Sequence, residues 1–183
     1  MLIIMIAGKA GSGKDEVANI ICKHSNKAKR FAFADNLKSM ARSLGWDGNK
    51  DERGRLFLQQ LGKVGRNYNP DVWAKFVEWQ IRDELLDTHN NLFVISDFRF
   101  PNEYAVLHKR WKDIITIKLT GRASDLGSNA NDISEHSLES FKFDYVIDNS
   151  GTLQELEDDV LNILGGCHVY LQGKHKQKRV RTI

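Results

Sequence analysis

Residues 3–7 read Ile-Ile-Met-Ile-Ala, an apolar run that ends against glycine. With no polar position the run has no face for water, so it predicts a strand buried on both sides at the centre of a parallel sheet. Residues 15–23 change period: Val17, Ala18 and Ile21 fall on one side of a helix. Phe31 and Phe33 mark a second strand, and residues 92–96 (Leu-Phe-Val-Ile-Ser) a third, apolar enough to be covered on both faces. Between them the strongest helical periodicity runs over residues 70–89. There Val72, Trp73, Phe76, Val77, Ile81 and Leu85 recur at helical spacing, with Asn69 available as the cap. Residues 114–119 and 145–147 supply two more strands. The last helix opens with Thr152-Leu153-Gln154-Glu155, the spacing of a capping box, and is expected to stop at Gly165-Gly166. Both prolines, Pro70 and Pro101, sit where helices can begin, because a first-turn residue has no intrahelical use for its N–H.

Five strands separated by helical stretches predict an α/β protein: a five-stranded parallel sheet in three layers, with helices on both faces and right-handed crossovers. Ligands of such sheets bind at the carboxyl ends of the strands. The chain has 183 residues, 41% hydrophobic and 28% charged, which fits one soluble domain and excludes disorder, collagen and membrane spans. Residues 1–8 are too short and too poor in basic residues for an export signal. Cys22 and Cys167 stand far apart without a Cys-x-x-Cys or Cys/His spacing, so neither a disulfide framework nor a zinc site is supported, and a reducing cytoplasm is the simplest compartment. Much of the net charge of +3 is local: setting aside Lys174, Lys176, Lys178, Arg179 and Arg181 leaves 22 basic against 24 acidic residues. A solvated basic tail over 167–183 accounts for that run more simply than a nucleic-acid contact.

Chemistry enters at Gly8-Lys9-Ala10-Gly11-Ser12-Gly13-Lys14-Asp15, which has the G-x-x-x-x-G-K spacing and lies between a buried strand and a helix. Glycines there let backbone N–H groups turn inward around phosphate oxygens, the helix amino terminus adds positive potential, and Lys14 can reach the β- and γ-phosphates. Asp15 stands where a P-loop usually carries Ser or Thr; its carboxylate is either a magnesium ligand, direct or through water, or simply a favourable charge at a helix start. Asp97, at the end of the third strand in Ser96-Asp97-Phe98-Arg99, occupies the position of a second magnesium-associated acid. Arg99 can supply positive charge to a transferring phosphoryl group or to the acceptor. The structural alternative is that Asp97 caps the turn after it and pairs with Arg99.

These segments resemble the deoxynucleoside monophosphate kinases of tailed bacteriophages and related small P-loop kinases. GKAGSGKD at 8–15, GWDGNKDERGRLFLQQLGKVGR at 45–66, SDFRFPNE at 96–103, and SE at 134–135 with DYVIDNSGTLQEL at 144–156 carry the likeness. An aspartate after the P-loop lysine is itself usual in that family. The resemblance implies one kinase domain over 1–166 that uses ATP and magnesium to phosphorylate a nucleoside monophosphate. It implies an acceptor-binding helical insertion over about 35–88, with Asp35, Lys38, Arg55, Gln59, Arg66 and Trp73 as ligands, and a lid over about 120–135 hinged at Arg122. Arg53 is a further insertion donor, while Trp46 and Trp79 are left to packing. Lys14, Arg99 and Arg122 would act on the transferring group, and Asn149 and Gly151 would border the adenine unless their turn only caps the last helix. Many relatives carry a histidine before the Ser-Glu pair where this chain has Asp132-Ile133, and His136 nearby does not restore it. The rivals are a kinase of another phosphorylated metabolite or of dephospho-coenzyme A, a nucleic-acid-linked P-loop ATPase or binding module, and a P-loop protein with only a structural role. A homodimer fits the sequence as well as a monomer does.

Overall fold

The structure is a computed structural model that describes residues 1–122 and 136–171, with side chains in the last helix as far as residue 167. The elements in chain order are β1 (Leu2–Ala7), α1 (Lys14–His24), β2 (Ala28–Phe31), α2 (Phe33–Ser43), α3 (Glu52–Tyr68), α4 (Val72–Asp87), β3 (Leu92–Ile95), α5 (Pro101–Arg110), β4 (Ile114–Thr120), β5 (Tyr145–Asp148) and α6 (Leu153–Leu171). The strands form one sheet in the order β2-β3-β1-β4-β5, every pairing parallel. β1 is central, and all six of its residues are buried, as its uninterrupted apolar run requires.

Alternation along β1 divides the core in two. Leu2, Ile4 and Ile6 face α1 and α6, meeting Val17, Ile21, Val160 and Ile163. Ile3, Met5 and Ala7 face the opposite layer, where Trp73, Val77 and Ile81 of α4 and Leu107 of α5 close over Phe93 and Ile95. Burying each such side chain stabilises the fold by roughly 1.5–3 kcal/mol, so the sheet and its two covering layers are mutually dependent.

Four local expectations are corrected. Phe33 is not in the second strand: β2 ends at Phe31 and Phe33 opens α2, because a carboxylate from β3's end accepts its N–H. Asn69 does not cap α4; it closes α3, its side chain accepts from the Asp71 N–H at 3.1 Å, and Asp71 takes the cap position. Gly165 and Gly166 do not stop α6, which runs on to Leu171. Ile163 and Cys167, one turn apart, are both buried against the sheet, and that burial offsets the roughly 1 kcal/mol per glycine that a helix interior loses. Finally, Trp46 packs as expected, but Trp79 is 59% exposed. The capping box at α6 is present: Thr152 N–H donates to Glu155 at 2.7 Å, and Glu155 N–H donates to the Thr152 hydroxyl at 3.2 Å.

Candidate active site

The phosphate loop follows β1 directly, so the centre of the sheet delivers residues 8–13 to the amino terminus of α1. Gly13, at φ 97°, precedes the helix in a conformation that side chains rarely adopt, and a Cβ there would come within 2.5 Å of Asn149 Nδ2. That amide belongs to the loop: it donates to the Ser12 carbonyl at 2.9 Å in a buried bond. Asn149 thus braces the phosphate loop from the turn after β5.

Lys14 Nζ folds back to donate to the carbonyls of Gly8 at 2.7 Å and Lys9 at 2.8 Å. The hydroxyl of Ser12 is buried and has no hydrogen-bond partner. An orphaned hydroxyl beside inward-turned backbone and a lysine costs free energy that a phosphate oxygen would recover, so the loop fits a nucleotide polyphosphate.

Next to the loop lies a charged cluster in which the central group, Arg30 at the end of β2, was not singled out in the sequence. Its guanidinium donates to Ser96 Oγ at 3.1 Å, to Asp15 Oδ1 at 3.2 Å and to Asp35 Oδ2 at 3.5 Å. Ser96 in turn donates to Asp15 at 2.9 Å, and Lys38 pairs with Asp35 at 3.4 Å. Partial burial pushes the Asp15 carboxyl up, but the Ser96 hydroxyl and the charges of Arg30 and Lys14 outweigh it and hold the group below the usual carboxylate range. An ionised, mostly exposed carboxylate beside the phosphate loop is a suitable oxygen ligand for magnesium. Among the described residues no three His, Cys, Asp or Glu side chains converge as a metal cage.

Asp97 has a different first role. Its Oδ1 accepts from the Phe33 N–H at 2.8 Å and its Oδ2 from the Ala34 N–H at 2.9 Å, so it caps α2, which has no capping side chain of its own. It therefore does not cap the turn that follows it. Burial pushes its carboxyl up, and Asp35 adds to this, against the pull of the two N–H groups and Arg99. Two residues on, Arg99 N–H donates to Glu103 Oε2 at 2.8 Å, as Phe100 N–H does at 2.9 Å. Glu103 is buried, and burial, with the charge of Asp97, pushes its carboxyl up to about 8.

Arg99 and Arg122 both line a cavity of 450 Å³ that opens between the phosphate loop, the end of β4 and residues 136–143. Arg122 also donates to the Gly151 carbonyl, which ties the start of the expected lid to the turn before α6. The rest of that lid, residues 123–135, and most of the basic tail lie outside the described residues.

On the insertion, Asp35 and Lys38 join the cluster around Arg30. Arg66 stacks its guanidinium over Phe100, 4.7 Å from the ring centre. Gln59 is half-buried on α3, and Arg55 is exposed there, without an ion pair among the described residues. Trp73 is corrected: it is buried in the core, its indole N–H donates to the Gly62 carbonyl at 3.2 Å, and its ring fills the space that a side chain at Gly65 would need. No face of that ring is left for a ligand.

A parallel sheet with helices on both faces and a phosphate loop at the carboxyl end of its central strand is the three-layer P-loop NTPase fold. No protein-family model matches the chain. Curated proteins similar in sequence are the uncharacterized proteins ORF76 and ORF77 of Ictalurid herpesvirus 1 (strain Auburn), 24% identical over 155 residues and 27% over 165. They align with 85% and 88% of this chain, which spans 64% and 69% of their own length. Solved structures of similar fold include the tunicamycin resistance protein of Deinococcus radiodurans, with a TM-score of 0.55 at 15% identity over 90% of this chain and 95% of that one. Others are a sugar kinase from Janibacter sp. HTCC2649, at 0.52 and 14% over 90% and 95%, and a gluconokinase from Sinorhizobium meliloti 1021, at 0.52 and 15% over 94% and 98%.

Proposed function

We propose that the chain is an ATP-dependent kinase that transfers the γ-phosphoryl group to a nucleoside or deoxynucleoside monophosphate, with magnesium as cofactor. The single observation that carries phosphoryl transfer is the phosphate loop with its orphaned Ser12 hydroxyl and its lysine folded onto loop carbonyls. Support for a nucleotide acceptor comes from the likeness of residues 8–15, 45–66, 96–103 and 144–156 to the phage kinases, and from the donors Lys38, Arg55, Gln59 and Arg66 on the insertion running from α2 to α4. In this reading residues 1–166 are the catalytic unit, with residues 35–88 facing the acceptor and 120–135 covering it.

The backbone of residues 8–13 holds the β- and γ-phosphates, and Lys14 exchanges its two carbonyl contacts for phosphate oxygens. Asp15 ligates the cation directly or through water, and Asp97, whose oxygens each keep a lone pair, accepts from its water shell. Bound magnesium supplies charge neutralisation to the phosphate oxygens. Arg99 and Arg122 stabilise the negative charge that spreads over the transferring group. Asn149 fixes the loop, and Gly151 with its neighbours borders the adenine. Asp35, Lys38, Arg55, Gln59 and Arg66 orient the acceptor. An acceptor oxygen forms its bond to the γ-phosphorus as the bond to the β–γ bridging oxygen breaks, and the electron pair leaves with ADP. That acceptor oxygen is already ionised near neutral pH, so no general base is required, and alignment is the protein's main task.

The test is to incubate the protein with ATP and magnesium, offer every ribo- and deoxyribonucleoside monophosphate, and identify the diphosphates formed. Lys14→Ala should lower turnover by about a hundredfold or more with a smaller change in ATP affinity. Failure of every monophosphate, with ATP hydrolysis stimulated by DNA or RNA, would move the protein to the class of nucleic-acid-linked ATPases.

A further inference from the structure

The cavity beside the phosphate loop gathers four cationic side chains among its described lining residues. Its described lining includes Lys9, Arg99, Lys118 and Arg122 against one carboxylate, Glu139, which is 2.7 Å from His136 Nδ1. Lys118 is the unexpected member. It lies on β4 in register with Ala7, immediately before the loop, and its neighbours Ile117 and Leu119 point into the opposite core. Strand alternation therefore sends Lys118 toward the layer containing Phe143, whose ring centre is 5.7 Å from Nζ. Among the described residues no carboxylate pairs with Lys118 or Lys9. A ring face offers an ammonium only weak attraction, and cations converging on one cavity raise its affinity for an anion.

The cavity's size and walls suit a small ligand. Its 450 Å³ falls within the roughly 300–1,000 Å³ of small-molecule sites, and Phe98, Leu138 and Phe143 give it an apolar side. Its wall includes Gly8 and Lys9, whose carbonyls hold the Lys14 ammonium at 2.7 and 2.8 Å. An anion in the cavity would thus lie next to the lysine that attends the transferring group.

We propose that this cavity is the anion subsite of the phosphoryl acceptor, and that Lys118, with Arg99, grips the acceptor's own phosphate monoester group. The proposal rests on the kinase reading and sharpens it. It assigns the acceptor's phosphate to the β4 side of the loop and leaves the base and sugar to the insertion.

The experiment saturates the intact protein with magnesium and a non-hydrolysable ATP analogue, so that the phosphate loop is filled, and then titrates inorganic phosphate. Lys118→Met should weaken phosphate binding about tenfold to a hundredfold, the loss expected for one charge-assisted bond, with analogue affinity and melting temperature unchanged. Equal phosphate affinity in wild type and variant, or no phosphate binding to wild type, overturns the subsite. If Lys118→Met does not fold, ¹³C-lysine spectra of the wild type, with Lys118 assigned through Lys118→Arg, give the answer: phosphate should shift the Lys118 ε-methylene signal, and an unmoved signal overturns the proposal. The two readings fail separately. Phosphate binding that depends on Lys118 without phosphorylation of any nucleoside monophosphate keeps the subsite and removes the nucleotide acceptor. Phosphorylation with an unchanged KM in Lys118→Met does the reverse.

Discussion

Asn149 reaches across 137 residues to donate to the Ser12 carbonyl, and this one amide connects the far side of the sheet to the phosphate loop. Being 5% exposed, it satisfies an acceptor that water cannot reach. Asn149→Ala leaves that carbonyl unpaired, at a cost of about 1–3 kcal/mol. For a chain of this size that is several degrees of melting temperature. The same change frees the loop at Gly13, so ATP binding should weaken alongside stability. Thermal melts with and without ATP and magnesium measure both, and a variant with unaltered melting and ATP affinity would remove the brace from the account.

At the scale of elements, the start of α5 is held by a group that is costly to ionise. Glu103 accepts the N–H groups of Arg99 and Phe100 while buried, and its carboxyl is raised from 4.5 to about 8. A carboxyl raised on folding binds more protons in the native state than in the unfolded one, so stability falls as pH climbs. The contribution is fully present below 4.5 and is lost as pH rises through about 8. Glu103→Gln keeps an oxygen for both N–H groups but cannot ionise. Denaturant melts from pH 5 to 9 should therefore show wild type losing stability relative to the variant across that window; parallel profiles would sink this account of α5. Its neighbour Asp97 plays the corresponding role for α2, so residues 97–103 fix the amino termini of two helices that flank the site.

Across the whole molecule, α6 closes one face of the sheet through Ile163 and Cys167, so its burial extends past the expected boundary at 166. Cutting at 167 or 168 would disturb that helix. Removing residues 172–183, which lie outside the described structure and outside every stretch resembling the kinases, should leave the KM for ATP and acceptor within about twofold and the melting temperature nearly unchanged. Loss of transfer on that truncation would show that the basic segment completes the site or an interface. No helix among the described residues is long and apolar enough to cross a membrane.

Local pattern was enough for the α/β class, the central strand, the phosphate loop, the proline at the start of α5 and the capping box of α6. Each of these depends on residues within a few positions of one another, whose spacing states which face is buried or which N–H is satisfied. The sequence by itself also placed Lys14 at the phosphate loop, because the strand, loop and helix that present it are contiguous. Only the tertiary structure decided what strand order decides. The order β2-β3-β1-β4-β5 puts Arg30 against Asp15, Asp35 and Ser96, turns Asp97 onto α2, and brings Lys118 to the wall of the cavity beside the loop. Trp73 shows the converse: its helical spacing was legible, but whether its buried side faced a ligand or Gly62 and Gly65 depended on how α3 packs on α4. Periodicity records that a side chain is covered, and the partner that covers it is fixed by contacts far apart in the chain.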